Sequence, residues 1–316
     1  MLVGKDKSKG TLRVRRHLRW IWVVYYRALL QPFVWLFWRF LFLRPLIRHV
    51  IKFSDGWHFY LRYGRLPHRK ALLYNEYLFN LKHSRDFVSN LRACVTDKES
   101  VKDFISSILG ADKTIKTLAV IKSKKDLKSF AAHKFPAVLK PTHSSGRFLL
   151  CESNHKIKES KNILLGWLAH DYFYHSLEFN YSGLEKKIIV EEFLSERFFL
   201  EGSVHCKNGI PKIVSLINRY TKERQSYSAN KSPLGVSLSF ALKDLKVRNW
   251  NFFNVLLGEC KKLSKPFSYI RIDFYTDGDE IIYGELTNLP AGGNGIFFPE
   301  NGEEIFSSEF FSDDFV

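Results

Sequence analysis

Arg271-Ile-Asp273-Phe-Tyr and Tyr283-Gly-Glu285-Leu-Thr287-Asn288 set one arginine and two carboxylates on two β-rich runs, divided by the turn signal Asp277-Gly278. Pairing about that turn brings Asp273 roughly opposite Glu285. Two facing carboxylates are hard oxygen ligands that suit Mg²⁺, above all Mg²⁺ shared with a nucleotide phosphate. Arg271 lies two residues from Asp273, so both side chains leave the strand on one face. A fixed cation there stabilises charge developing on a transferred phosphoryl group. The plain alternative is a surface hairpin carrying an ordinary ion pair.

A second cluster surrounds Lys140. Pro136-Ala-Val-Leu-Lys140-Pro141 reads as a strand, and Thr142-His143-Ser144-Ser145-Gly146 as the loop that ends it. Small residues let a backbone fold over a ligand with its N–H groups free to meet phosphate oxygens. A polar hairpin loop is the bland reading. His143 either touches a ligand or fixes the loop. Cys94, Cys151, Cys206 and Cys260 form no CxxC pair, which argues against structural zinc and a disulfide framework.

The elements that must position these residues are mixed. Helices are expected over 74–88, 98–109 (capped by Asp97, stopped by Gly110), 124–132, 161–178 and 250–263. Strands are expected over 117–121, 136–141, 148–151 and 187–193, with a hairpin about Asn208-Gly209. Hairpins dominate over regular βαβ alternation, so the class is α+β.

The 316 residues are 45% hydrophobic, which excludes disorder as the default. The net charge of +17 is uneven: residues 1–70 hold 16 Lys/Arg against Asp6 and Asp55. Within this arm, residues 20–42 are aromatic and long enough to cross a bilayer, but Arg27, Gln31, Pro32 and Arg39 interrupt them. Helices lying in the membrane interface and broken near Pro32 fit best, with Trp and Tyr at headgroup level and Lys/Arg on anionic lipid. A single span, a nucleic-acid arm and a core helix are the rivals; a nucleic-acid partner is not expected.

The motifs Asp97-Lys98, FPAVLKPTHSSG, WLAHDYFYHSLEFNY, KIIVEEFL, HCKNGIP, RIDFY and GELTNLPAGG occur in this order from Asp97 to Gly293. In order and spacing the chain resembles the TupA-like ATP-grasp family of teichuronopeptide and other surface polysaccharide biosynthesis. The resemblance implies an ATP-grasp fold, two α+β subdomains gripping ATP. It implies that Lys98 and Lys140 contact phosphates, while Ser144, Ser145 and Gly146 cover them. Glu191, Glu192, Phe193 and Leu194 would form the hinge beside adenine, and Glu201 would meet the ribose. Asp273 and Glu285 would hold Mg²⁺, and Arg271 would join Lys140 in the chemistry. The third ligand falls to Thr287 or Asn288, because relatives carry an asparagine where Thr287 stands.

The division that follows is a basic arm over 1–70, a helical region over 71–135, a lid subdomain over 136–200 and a metal-hairpin subdomain over 201–316. The expected activity is ATP-dependent joining of a carboxylate to an amine through an acylphosphate, attaching an amino acid to a uronic acid or similar glycan acceptor. The arm would hold the enzyme peripherally at the cytoplasmic face of an anionic membrane. A phosphotransferase acting on a sugar, or a tethered protein that binds nucleotide without turnover, are the alternatives.

Overall fold

The computed structural model describes residue 21 and residues 25–312. The basic arm's residues 1–20 and 22–24, and the last four residues of the tail, lie outside them. Strands β1 (Thr117–Ile121), β2 (Ala137–Pro141), β3 (Leu149–Cys151) and β4 (Ile188–Glu192) make an antiparallel sheet in the order β1-β4-β2-β3. Then come β5 (Leu200–Lys207), β6 (Ile210–Asn218), β7 (Arg224–Ser228), β8 (Ser237–Leu238), β9 (Tyr269–Thr276), β10 (Ile281–Thr287) and β11 (Phe297–Phe298). They form a five-stranded sheet, β10-β9-β5-β6-β7, and a small β11-β8 pair. The mixed helix-and-sheet class agrees with the sequence. The four-stranded sheet includes a strand before residue 136, because β1 pairs directly with β4.

Alternation along β9 orients the large sheet. Ile270, Ile272 and Phe274 are wholly buried, whereas Arg271, Asp273 and Tyr275 on the other face are partly exposed. The buried face packs on the helices Ser100–Leu109 and Asn251–Ser264 through Val101, Ile105, Phe252, Phe253 and Leu256. A Cβ on Gly202 of β5 would meet the Phe274 ring at 2.4 Å, so glycine is what admits that ring.

Helix boundaries follow local capping. Asp97 Oδ1 accepts from the backbone N–H groups of Glu99 and Ser100, and Gly110 (φ 107°) ends the helix Ser100–Leu109. The expected helix over 161–178 is two helices. Asp171 accepts from Phe173 N–H and starts Tyr172–Ser176 afresh after Lys161–Ala169.

The arm also departs from expectation. Pro32 lies in the first turn of the helix Gln31–Phe37, where it is tolerated, and the chain turns only after Trp38. Leu30, Val34, Trp38, Ile47 and Ile51 enter a core with Tyr74, Phe173 and Phe179. Trp35, Leu41, Phe42 and Phe53 remain exposed. One face of the segment is thus core helix and the other is open apolar surface. Among the described residues, no helix is long and apolar enough to cross a membrane.

Because Phe274 backs Asp273 on the core side, Phe274→Ala should cost about 3–5 kcal/mol of stability. The measurement is the fall in the urea unfolding midpoint.

Candidate functional site

The β9–β10 hairpin brings the predicted carboxylates together by a route that its turn does not dictate. From the turn outward, Ile281 pairs with Thr276, Ile282 with Tyr275 and Tyr283 with Phe274. Continued unchanged, that register would put Gly284 opposite Asp273. A bulge at Gly284 adds one residue, and Glu285 lands opposite Asp273 with Thr287 opposite Arg271. A bulge also exchanges faces, so Glu285 and Thr287 share the face of Arg271 and Asp273. A Cβ on Gly284 would press on Tyr275 Cε2 at 3.2 Å.

On that face the charges are tightly bound. Arg271 donates to both Asp273 oxygens, at 2.6 and 2.5 Å, and to Thr287 Oγ1 at 3.2 Å. The Thr287 hydroxyl lies 3.2 Å from Asp273 Oδ2 and 3.3 Å from Glu285 Oε1. Burial, with Glu285 and Glu201 adding repulsion, pushes the Asp273 carboxyl up against the pull of Arg271. Burial also opposes the charge on Glu285, yet Lys98, Arg271 and Lys140 together hold its pKa below the usual value.

Asn288 has a different position. Its Oδ1 accepts from Arg92 at 2.8 Å, and its Nδ2 donates to the Arg92 carbonyl and Thr96 Oγ1. Arg92, wholly buried, also donates to the Tyr269 carbonyl and pairs with Asp86 at 2.5 Å. The Asn288 amide thus ties the hairpin to the helix Asn90–Thr96, and Thr287 is the residue within reach of both carboxylates.

Lysines arrive from elsewhere. Lys98 Nζ donates to the Ser144 carbonyl at 2.5 Å and stands 3.9 Å from Glu285 Oε2, so it spans the loop after β2 and the hairpin. Lys140 on β2 pairs with Glu191 on β4 at 2.7 Å, and Lys102 meets the other Glu191 oxygen at 2.6 Å. Burial opposes the Glu191 charge, but Lys140 and Lys102 hold its pKa below the usual value. Glu191 is therefore a buried anchor for two lysines. Lys102, on the helix Ser100–Leu109, carried no expected role.

The loop residues divide. Thr142, His143 and Ser144 are buried, whereas Ser145 and Gly146 (φ 72°) are exposed. His143 Nε2 donates to the Trp167 and His170 carbonyls, which makes it a loop-fixing group. Thr142 Oγ1 and Ser144 Oγ are buried without hydrogen-bond partners. At the hinge, Glu192 pairs with Lys134, Phe193 N–H donates to the Pro136 carbonyl, and Leu194 joins an apolar cluster of Ile115, Phe198, Ile282 and Tyr275. Glu201 is exposed and lies opposite Tyr275.

Two cavities of about 240 Å³ meet at Arg271. One lies over β5–β7, with Glu201, Ser203, Arg224 and Asp273 in its walls. The other is bounded by Lys98, Ser145, Glu178, Tyr181, Glu285 and Thr287. Glu178 and Tyr181 fall in the segment WLAHDYFYHSLEFNY, where neither carried an expected role. Burial pushes the Glu178 carboxyl up to about 7; Lys82 opposes this and Asp55 reinforces it.

These residues fit a hard cation carried by a polyphosphate. Asp273, Glu285 and the Thr287 hydroxyl converge as oxygen donors, and Lys98 and Lys140 stand close enough to act on the Glu285 charge. Among the described residues no group of three or more His, Cys, Asp or Glu could hold a metal, so the other ligands would be phosphate and water.

Comparison with solved structures finds distant likenesses. A D-alanine-D-alanine ligase from Helicobacter pylori is 17% identical, with a TM-score of 0.40 over 68% of this chain and 58% of that one. An ATP complex of the Bacillus anthracis enzyme is 13% identical, with a TM-score of 0.40 over 64% and 59%. The ATP-grasp ligase PsnB with a precursor variant, Mg and ADP is 10% identical, with a TM-score of 0.37 over 67% and 57%. The chain thus spans less than two thirds of each. No curated protein matches it. The model of the TupA-like ATP-grasp family matches residues 80–311, and with most of its length so matched the chain belongs to that family.

Proposed function

We propose that this protein is an ATP-dependent carboxylate–amine ligase that attaches an amino acid to a uronic acid or similar acceptor of a cell-surface polysaccharide. The observation that carries the reading is the meeting of Arg271, Asp273, Glu285 and Thr287 with Lys98, which also holds the lid loop. Asp273, Glu285 and Thr287 would hold Mg²⁺, which would supply neutralisation of phosphate charge.

A carboxylate resists attack by an amine because its carbonyl is a poor electrophile and oxide a poor leaving group. Phosphorylation supplies the leaving group, so the protein's task is positioning and charge neutralisation. Lys98 and Lys140 would bind phosphates, and Arg271 would steady the transferring phosphoryl group. Glu178 borders the same cavity as Arg271 and Glu285. In our reading its carboxylate takes the proton from the attacking amine; the new C–N bond forms as the C–O bond to phosphate breaks. The Ile115, Phe198 and Ile282 cluster beside Leu194 suits the adenine face.

The arm adds a location. Trp35, Leu41 and Phe42 are exposed near Arg39 and Arg44, a combination that favours the anionic cytoplasmic face of a membrane. Such a position concentrates the enzyme where a membrane-bound acceptor lies. The deciding experiment screens ATP consumption against amino acids and uronic-acid sugars, with mass spectrometry of the product. An amide with release of phosphate supports ligation; a phosphorylated sugar overturns it.

Asp273→Ala and Glu285→Ala should each lower Mg²⁺-dependent ATP turnover by roughly 100-fold or more. Near-normal turnover in either variant would remove that residue from the metal set. Glu178→Gln should lower kcat about 10²–10⁴-fold, the range for a lost general base. The base form of Glu178 grows as pH rises through about 7, so wild-type kcat/KM should climb through that region. The glutamine variant should lack that limb; an unchanged pH profile would reject the role.

A further inference from the structure

A third cavity, of about 410 Å³, lies between the helix Arg44–Tyr63 and the turn that follows the helix Tyr74–Lys82. Arg44, Arg48 and Lys52 stand at i, i+4 and i+8 along one flank of the first helix, and Arg85 faces them from the turn. Among the described residues that line this cavity, none is acidic. Like charges at this spacing repel one another, so the stripe destabilises its own helix unless an anion lies among them.

The cations are fixed by groups that do not neutralise them. Arg44 Nε donates to the Trp38 carbonyl at 3.0 Å, and its guanidinium lies 5.1 Å from the Trp38 ring. Arg48 donates to the Ser84 carbonyl at 3.2 Å and lies 5.1 Å from the Phe179 ring. Carbonyls and rings orient a guanidinium while leaving its charge intact. The nearby carboxylates are engaged elsewhere: Asp55 pairs with Lys82 at 2.8 Å and His83 at 3.1 Å, and Asp86 pairs with Arg92 at 2.5 Å. Preset guanidiniums with adjacent lysine and arginine suit a phosphate, which can accept several charge-assisted hydrogen bonds at once.

The surroundings identify the source of that phosphate. Leu41, one wall of the cavity, is 70% exposed, and Phe42 beside it in sequence is 78% exposed. Large apolar side chains open to solvent at the edge of a cationic cavity match a headgroup next to acyl chains. The Phe179 ring beneath Arg48 belongs to the turn Phe179–Tyr181, whose Asn180 and Tyr181 line the cavity shared by Arg271 and Glu285. One short turn therefore borders both places.

We infer that the cavity of Arg44, Arg48, Lys52 and Arg85 is a binding site for the phosphate of a lipid headgroup. The inference rests on the membrane-surface reading of the arm and is independent of the reaction catalysed. A lipid phosphate held there lies next to the turn that walls the reaction cavity, so membrane attachment and acceptor delivery share one structural unit.

The test uses the full chain and vesicles of phosphatidylcholine with either phosphatidate or phosphatidylserine at equal surface charge. Phosphatidate exposes a phosphomonoester; phosphatidylserine supplies the same charge with its phosphate covered. Wild-type protein should prefer phosphatidate roughly tenfold. Lys52→Ala/Arg85→Ala, two exposed positions, should bring the preference close to one, while Lys261→Ala/Lys262→Ala, which removes equal charge from a distant helix, should preserve it. A wild-type preference near one, or a preference untouched by the first double variant, overturns the site. Tight binding of inorganic pyrophosphate in solution without vesicle selectivity assigns the cavity to a soluble phosphate and overturns the lipid assignment. ATP turnover measured on the same proteins separates the questions: selectivity without turnover refutes the ligase and leaves the site standing, and turnover without selectivity does the reverse.

Discussion

Everything at the site depends on keeping two carboxylates, Asp273 and Glu285, face to face on adjacent strands. Like charges directly opposite in an antiparallel pair are destabilising. The fold offsets this with an arginine on the same strand, which grips Asp273 through two hydrogen bonds, and with lysines drawn from other elements. Phe274 and Ile272 secure the opposite face of β9 in the core, so the strand cannot turn to relieve the repulsion. Local strain at the site is thus borne by packing beneath it.

The cationic side is built by a buried relay. Glu191 joins Lys102 and Lys140, and Lys98 reaches both Ser144 and Glu285. Each lysine is oriented by a protein acceptor before any ligand arrives. This limits the rotamer freedom that long side chains otherwise lose on binding. Asn288 and Arg92 have a related part on the far side, where they clamp the end of β10 to a neighbouring helix.

Much of this was legible in the sequence. Asp277-Gly278 marked the hairpin, two β-rich runs marked its strands, and Lys140 fell on the expected strand with its small-residue loop after it. The bulge was not legible. A turn position sets pairing to within a residue, and the extra residue at Gly284 that decides which side chains share a face is a tertiary outcome. Thr287 and Asn288 could not be told apart either, since Thr287 meets the carboxylates through the bulged register whereas the neighbours of Asn288, Arg92 and Thr96, come from a helix distant in sequence. The arm combined two signals that composition alone averages together: Val34 and Ile47 serve a core, whereas Leu41 and Phe42 face outward. Where β1 belongs followed from its pairing with β4, and pairing partners are set by long-range register rather than local propensity.

The hold of Ser144 and Glu191 on Lys98 and Lys140 has a consequence for which anions can enter. An incoming anion must win each amine from an acceptor already within hydrogen-bond reach. Chloride, a single weakly accepting centre, replaces at most one such contact at a time. Under the proposed reading, a chain of linked phosphates would exchange both contacts in concert, and discrimination by valence would precede recognition of any base.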